Sequence, residues 1–465
     1  MAEIADEAIV RDASIEDATE AHVPAARAVN SLPPLADIPA REWRVLSERA
    51  VEPNGYYLPD WALAVNGSAR GRTGASALSV WSDAPLAYDG PPRLIGLLPA
   101  ISLWRAQKIP LPALVSAQPY GTLCTPPLDR DAAEDAAEQL MRQARKAGAH
   151  ALILRDMSLD GKAMRAFAEV LRRDGMRPAL LHSHLRACLD ARRDADELLA
   201  EALGARKLKE LRRQRHRLAG HGAVRFEIAR AQADVAAALE TFLALEAGGW
   251  KGKRGTALGQ HEGDATFIRR ATSALTKTGQ CEIVTLRAGD TAVAAAIVLR
   301  HQDRAFYFKL GIDERFAKYS PSVQLTLELT RHLCADPAIA SADSTAGPRP
   351  SHDQPDLARP PCDRRRADPA AAARSHRGAD PRGVDAAQAR SRRRARREAV
   401  NQEPRALSGP VARILQTHCS GECGAGSMIV ECISSSSGGP LPRNSCQAGS
   451  FMAAPRASAR AFRLG

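Results

Sequence analysis

The sequence predicts an α/β (α+β) fold of two tandem lobes, each with a mixed sheet flanked by helices, followed by a disordered tail. Residues 77–175 read in the order hairpin, helix, strand, helix, and that order returns from Cys281 onward without its final helix. After Pro348 the composition changes to one rich in arginine, alanine and proline. We therefore divide the chain into a disordered leader, a first lobe, a truncated second lobe and the tail, with bounds 1–40, 41–190, 191–348 and 349–465.

Length and charge narrow the function classes. The chain has 465 residues and a formal net charge of +12, and residues 349–465 alone carry +10 of it. The basic character therefore belongs to the tail, which makes nucleic acid an unexpected partner of the lobes. No apolar stretch approaches a membrane span, and the acidic start is unlike a signal peptide, so we expect no membrane span and a cytoplasmic location. The scattered cysteines complete no ligand pattern, so we expect no metal.

The first lobe begins with a predicted hairpin, Ala77 to Trp81 and Leu94 to Leu103, separated by a loop rich in proline and glycine. Asp131 to Ala147 is predicted to be a helix, because its first turn is acidic, its end is basic and Gly148 follows. A buried strand from Ala151 to Leu154 and a helix from Gly161 to Arg173 complete the unit.

Three helical segments separate the two predicted sheets. In Ala205 to Gly222 the leucines lie on one helical face, and seven basic residues lie on the remaining faces. An exposed basic face or a phosphate-rich partner explains this pattern, but no aromatic is interleaved for base stacking. Val235 to Gly248 and Asp264 to Lys277 are amphipathic. The loop between these two carries Trp250, Lys251 and Gly252, and is predicted either to bind a substrate or to pack its tryptophan among solvated neighbours.

The second lobe is predicted to place a helix directly after a hairpin. Thr291 to Leu299 is an uncharged apolar run, and from Arg304 the residues Phe306, Phe308 and Leu310 alternate with Tyr307 and Lys309. Ser320 and Pro321 then resemble an N-cap followed by proline at the first helical position. The apolar residues after them alternate as in a strand, but the length and the strong helix formers favour a helix to Cys334. Ile339 to Asp343 is predicted to be a short returning strand.

This junction is a candidate anion site. The first turn of a helix has unpaired N–H groups and the positive end of the helix dipole, which favour phosphates. Arg315 and Lys318 in the preceding loop add positive charge. An ordinary capped helix with two solvated cations explains the same residues.

Several motifs carry a resemblance to a known family. They are Glu246-Ala-Gly-Gly-Trp-Lys-Gly252, Phe308-Lys-Leu-Gly-Ile-Asp-Glu314, Ser320-Pro321 with its leucine-rich helix, and Pro119-Tyr120-Gly121. Residues 50–348 thereby resemble the acetyltransferase-like proteins associated with cellulose biosynthesis, the CelD-like or BioF-like group. That group belongs to the GNAT superfamily and has a tandem arrangement similar to the FemABX aminoacyltransferases.

The resemblance implies transfer of an acyl group from a thioester such as acyl-CoA (acetyl-CoA) to an amine or hydroxyl. The donor would lie along Arg304 to Gly311, with its pyrophosphate at the helix start formed by Ser320, Ser322 and Val323. Arg315 and Lys318 would assist there, Lys251 and Lys309 would contact anions, and Asp313 or Glu314 would accept the proton of the acceptor. The usual glycine-rich pyrophosphate loop is absent, and Ser322 stands where the family often has glycine.

The resemblance stops abruptly after Pro348. Relatives continue with Asp-His-Pro-Met-Ile and a helix bearing Trp-Arg, whereas this chain continues with Arg349-Pro-Ser-His-Asp-Gln-Pro. A permitted codon choice for residues 349–360, read one nucleotide later, restores the family motif. We therefore hypothesise a frameshift at about codons 347 to 349. The rival explanation is a genuine basic tail that binds nucleic acid or an acidic surface.

Two functions from different classes remain open. One is an acyltransferase that uses a small-molecule thioester and an unknown acceptor. The other is a catalytically inactive protein of the same fold that accompanies polysaccharide-synthesis machinery.

Overall fold

A computed structural model describes residues 32–82, 92–345 and 423–431. Within these residues the first lobe contains five α-helices and five consecutive strands. Proline at the first position of one helix, acidic first turns and basic last turns mark several of the helices. The helices are α1 (Ala40–Glu48), α2 (Pro59–Ser68), α3 (Leu103–Gln107), α4 (Ala133–Lys146) and α5 (Lys162–Arg173). The strands are β1 (Ser76–Trp81), β2 (Leu94–Ser102), β3 (Ala113–Ser116), β4 (Ala151–Ser158) and β5 (Ala179–Arg186).

The first sheet has the order β1-β2-β3-β4-β12-β5, where β12 is Cys423–Glu431. The predicted hairpin and both predicted helices are present as β1, β2, α4 and α5. Helices α4 and α5 bury one apolar face against this sheet, with Leu140 and Phe167 completely enclosed. This packed layer accounts for the alternation and the 3.6-residue periodicity of this part of the sequence.

Short stretches within the predicted leader and the predicted tail are structured in the described residues. Strand β12 lies within the predicted disordered tail, yet it pairs antiparallel with both β4 and β5. Its segment includes Met428, Ile429 and Val430, residues of a type that suits a central strand. In the predicted leader, Leu35 is buried and its N–H donates to the carbonyl of Ala75, so the packed chain starts before residue 40. The other residues of the predicted tail, and residues 1–31 of the predicted leader, lie outside the described residues.

The second lobe contains a second mixed sheet with the order β6-β11-β10-β9-β8-β7. Its strands are β6 (Cys188–Asp190), β7 (Val224–Ala229), β8 (Cys281–Ala288), β9 (Thr291–His301), β10 (Arg304–Ile312) and β11 (Ser341–Asp343). Its helices are α6 (Ala195–Leu218), α7 (Gln232–Gly248), α8 (Trp250–Lys253), α9 (Glu262–Lys277) and α10 (Pro321–Cys334). Strand β6 pairs with β11, so residues 188–190, which we assigned to the first lobe, belong to the second sheet.

The basic segment predicted between the lobes is the second half of α6. The helix is kinked at Gly204, which has a φ of 72°. Beyond the kink, Leu211 and Leu218 are buried, and Leu211 packs beside Val323 and Leu327 of α10. Two leucines of the predicted helical face are therefore buried, and Arg215 beside them pairs with Glu328 of α10 at 3.0 Å.

The two lobes share one interface. Trp61 of α2 packs edge-on against Phe308 of β10, with ring centroids 4.8 Å apart. The ring of His301 bridges the lobes, because its Nδ1 accepts from the N–H of Asn54 and its Nε2 lies 2.9 Å from the carbonyl of Ser47. Residues from the first lobe therefore reach one face of the second sheet.

Candidate active site at the splayed strands of the second lobe

Strand β10 contains a bulge that decides which of its side chains meet the first lobe. The register with β9 shifts between Tyr307 and Lys309. Phe306 and Phe308 contact the core cluster between the lobes, whereas Leu310 packs with Tyr307 on the opposite face. The alternation predicted from the sequence, with Leu310 on the face of Phe308, was therefore wrong beyond the bulge, since an extra residue reverses the faces that follow it. As a consequence, Lys309 points to the same side as Phe308.

Strands β10 and β11 separate after a short paired segment. They are parallel, and they pair only over Arg304–Phe306 and Ser341–Asp343. On the side of β10 opposite β9, no strand among the described residues pairs with positions 307–312, and we call this side the open edge. Thr345 covers its beginning, because its hydroxyl donates to the carbonyl of Tyr307 at 2.6 Å. An extended ligand can therefore lie against main-chain groups along this edge.

Helix α10 starts beside the open edge. Ser320 occupies the N-cap position, but its φ of 53° is left-handed and its side chain makes no capping hydrogen bond. Pro321 has no N–H, and the N–H groups of Ser322 and Val323 in the first turn have no acceptor within the helix. The side chain of Val323 is buried against α6, so only its main chain is available to a ligand.

The two cations of the preceding loop lie on a 3-10 segment, Glu314–Tyr319. Arg315 and Lys318 line a pocket of about 210 Å³, together with His221, Thr291, Phe316 and Tyr319. The guanidinium of Arg315 is also paired with Asp313 at 2.7 Å. These cations therefore lie one turn before α10, toward the loop between β8 and β9.

Both carboxylates predicted as bases are held by cations. The hydrogen bond from Arg315 is the main cause that lowers the pKa of Asp313 below its usual value. The ammonium of Lys253 pairs with Glu314 and likewise lowers the pKa of that carboxyl. Each pairing reduces the basicity of the carboxylate, and the base role of both residues stays a prediction.

Lys251 and Lys309, predicted to contact anions, meet at a single carboxylate. Their ammonium nitrogens each lie 3.2 Å from Oε1 of Glu246, whose side chain is fully buried. The other oxygen of Glu246 accepts from the N–H of Leu258 at 2.8 Å. Lys251 also donates to the carbonyl of Leu310 on the open edge, at 2.9 Å. We call Glu246, Lys251 and Lys309 the lysine cluster.

The electrostatics of the lysine cluster follow from its burial. Burial first, and then the neighbouring ammonium of Lys309, lower the pKa of Lys251 to about 8. Burial alone would raise the pKa of Glu246, but the charges of Lys309 and Lys251 hold it below its usual value. The cluster contains two amines and one carboxylate, so it carries an excess positive charge whenever both amines are protonated.

Close packing fixes the loop of Lys251 to the open edge. A Cβ on Gly252 would lie 1.7 Å from the carbonyl of Ala247, and one on Gly311 would lie 3.0 Å from the main-chain nitrogen of Glu246. Only glycine allows the first approach, and a side chain at the second would have to displace α7 slightly. Trp250, predicted to bind substrate, is 40% exposed, and the guanidinium of Arg254 lies 5.3 Å from its ring centroid.

Residues of the first lobe that the sequence analysis did not assign to the site complete this region. Tyr120 places its ring 5.7 Å from the ammonium of Lys309, and its hydroxyl donates to Asp264 at 2.9 Å. The guanidinium of Arg72 also lies over the ring of Tyr120, 4.2 Å from its centroid. Tyr120 and Glu246 both stand in the motifs that carry the family resemblance, which is the only signal in the sequence that marks them.

Neither a metal cluster nor a membrane helix is found in the described ranges. No three His, Cys, Asp or Glu side chains there are placed to hold a metal ion. None of the described helices combines the length and the apolar character needed to cross a bilayer.

Several solved structures are similar to this chain at low sequence identity. One is FemX, which is 13% identical, with the similarity covering 68% of this chain and 90% of FemX at a TM-score of 0.46. The C-terminal domain of a putative lysylphosphatidylglycerol synthetase from Agrobacterium fabrum is 16% identical, covers 65% and 77%, and has a TM-score of 0.41. A tandem GNAT protein from the clavulanic acid biosynthesis pathway is 12% identical, covers 87% and 99%, and has a TM-score of 0.35. No curated protein matches the chain significantly.

The family comparison concerns the lobe that holds the site. Residues 205–350 match the family described as acetyltransferase (GNAT) domain. This range contains the open edge, the start of α10 and the whole lysine cluster. Most of the second lobe is therefore similar to a GNAT acetyltransferase domain.

Proposed function

We propose that the protein transfers an acyl group from acetyl-CoA or a similar thioester to an amine or hydroxyl. The observation that carries the proposal is the separation of β10 from β11 within the matched domain. It leaves the open edge beside a helix start whose N–H groups lack acceptors in the helix. These features together suit a coenzyme A thioester, since the amide-containing arm of coenzyme A can hydrogen-bond along a strand edge and its phosphates favour a helix N-terminus.

Each residue would have a separate binding or catalytic role, which follows from its position in the site. The main-chain N–H groups of Ser322 and Val323 would bind the donor pyrophosphate, and Lys318 would add positive charge at a distance. The main chain of the open edge would hold the acyl arm and orient the carbonyl. Lys309, whose side chain is only 9% exposed, would stabilise negative charge that develops on the carbonyl oxygen during attack.

Release of free thiol from acetyl-CoA, measured with a panel of amines and alcohols, tests this function. The wild-type protein should show saturable turnover with at least one acceptor, and Lys309→Ala should reduce it by at least 10-fold. Lys277→Ala, at the exposed end of α9, is the matched control and should leave turnover unchanged. Absence of both turnover and thioester binding in the wild type would refute the proposal.

One observation favours the alternative of a catalytically inactive protein. Both carboxylates first considered as bases are held by cations, as described for Asp313 and Glu314. In that case the fold would serve polysaccharide-synthesis machinery, including cellulose production, without turnover. Co-purification of a synthase together with absent thioester binding would support this alternative over the enzyme.

The hypothesis of a shifted reading frame is part of the proposal. The family match ends at residue 350, next to codons 347 to 349, where the sequence pattern breaks. We propose that the family reading frame continues one nucleotide later. Resequencing genomic DNA across codons 340 to 365 tests it: an extra or missing base supports the shift, and confirmation of the present frame refutes a recording error.

A further inference from the structure

The lysine cluster contains one amine more than is needed to neutralise its carboxylate. Oε1 of Glu246 lies 3.2 Å from two ammonium nitrogens, yet one cation suffices to neutralise one carboxylate. The second amine is costly to bury as a cation, because desolvation and the like charge of Lys309 both oppose it. Losing its proton removes that cost.

We propose that Lys251 acts as a neutral amine and is the general base that takes the proton of the acceptor. This assignment rests on the acyl transfer proposed above and replaces Asp313 and Glu314 in that role. The amine of Lys251 donates to the carbonyl of Leu310, which places it on the open edge where the thioester would lie. The side chain is 18% exposed, so it is reachable from solvent.

The surroundings of Lys251 suit a base that must recover its neutral form. Glu246 approaches from α7 and orients the amine, while Lys309 approaches from β10 and disfavours a second positive charge. On α8 itself, Lys253 points to Glu314 of the 3-10 segment that precedes α10, and Arg254 lies against the ring of Trp250. The first lobe contributes Tyr120, whose hydroxyl is held by Asp264 and whose pKa burial raises above its usual value.

In the proposed reaction Lys251 takes up one proton and later releases it. The acceptor nitrogen or oxygen attacks the thioester carbonyl, and its proton moves to Nζ of Lys251. The new bond to the carbonyl carbon forms, the carbon–sulfur bond breaks, and the thiolate leaves. The Lys251 ammonium then protonates the thiolate, which yields the free thiol and restores the neutral amine.

Labelling with acetic anhydride tests the state of Lys251 without any donor or acceptor. Mass spectrometry of the peptide that contains Lys251 gives its reactivity from pH 6 to 10. We expect its half-point roughly 2 pH units below that of a free lysine side chain, ~10.4. In Lys309→Met the half-point should rise, because the opposing charge is gone, whereas Lys309→Arg should leave it unchanged. A half-point equal to that of free lysine in the wild type would overturn the proposal.

Kinetics separate the base role from the proposed function. Lys251→Arg keeps a cation but has no neutral form, so we expect kcat to fall by about 10²-fold or more, with the acetyl-CoA Kd unchanged. Lys251→Gln, whose side chain is smaller, should give the same result if the bulk of arginine disturbs the fold. Wild-type turnover with undiminished kcat in both variants refutes the base role alone. A wild type that binds no acetyl-CoA refutes the acyltransferase itself, and the base role falls with it.

Discussion

Replacing Glu246 by glutamine removes the carboxylate that two buried amines share. The variant keeps the shape of the side chain but leaves Lys309, 9% exposed, and Lys251, 18% exposed, without a countercharge. Breaking a buried ion pair from one side typically costs about 3 to 5 kcal/mol, and we expect a loss of that size in the free energy of unfolding at pH 7. Glu240→Gln is the matched control on the same helix, because its ion pair with Arg269 is exposed and should contribute less than about 1 kcal/mol.

The loss should shrink as the pH rises. Lys251 in the folded protein releases its proton near pH 8, whereas an unfolded lysine keeps it until about 10.4. Between these values the unfolded state binds more protons, so the stability of the folded state increases with pH. Without Glu246 the pKa of Lys251 falls further, and the increase should start at lower pH.

Urea unfolding followed by tryptophan fluorescence at pH 7 and pH 9 measures both effects. Glu246→Gln combined with Lys309→Met should recover part of the loss, because the remaining amine can become neutral. A loss below about 1 kcal/mol for Glu246→Gln, or one equal to that of Glu240→Gln, would refute this account of the lysine cluster.

Three further predictions concern the packing between the lobes and helices. Burial lowers the pKa of His301 to about 4. The protein should therefore lose about 3 kcal/mol of stability as the pH falls from 6.5 to 4, and His301→Gln should flatten this loss in thermal unfolding. An unchanged dependence of stability on pH would contradict this prediction. Asp343→Asn should lower the free energy of unfolding in urea by about 3 to 5 kcal/mol, because the buried Arg186 lies 3.2 Å away and loses its partner. Adding Arg186→Met should recover part of this loss. Strictly additive losses would contradict an interaction between the two residues. Gly311→Val should lower the Tm by several degrees, since its Cβ would press on α7, whereas Gly220→Ala has open space and should not; equal Tm values would oppose this reasoning.

The elements that the sequence predicted are those with local signals. Helix α10 was recognised although its apolar residues alternate like a strand, because Ser320-Pro321 and strong helix formers outweighed the alternation. The amphipathic helices α4, α5, α7 and α9 follow from their periodicity in the same way.

Features that depend on distant contacts escaped prediction. A bulge at Phe308 adds one residue without changing the local pattern, so the faces of Lys309 and Leu310 were not predictable. Strand β6 is three residues long and is defined only by its pairing with β11, which comes much later in the chain. The sequence marked Glu246 only as part of a family motif, and its contact with both lysines emerged from the fold.

Calorimetric titration with acetyl-CoA tests the central claim, that the start of α10 binds the anionic part of a thioester donor. The decisive variant is Ser322→Glu, because a carboxylate in the first turn suits the helix but repels a phosphate at its N–H groups. Gln232→Glu places the same charge at the exposed start of α7 and serves as the control. We predict saturable binding by the wild type and by Gln232→Glu, and binding weakened at least 10-fold in Ser322→Glu. Equal affinity in all three proteins, or no binding by the wild type, would contradict the claim.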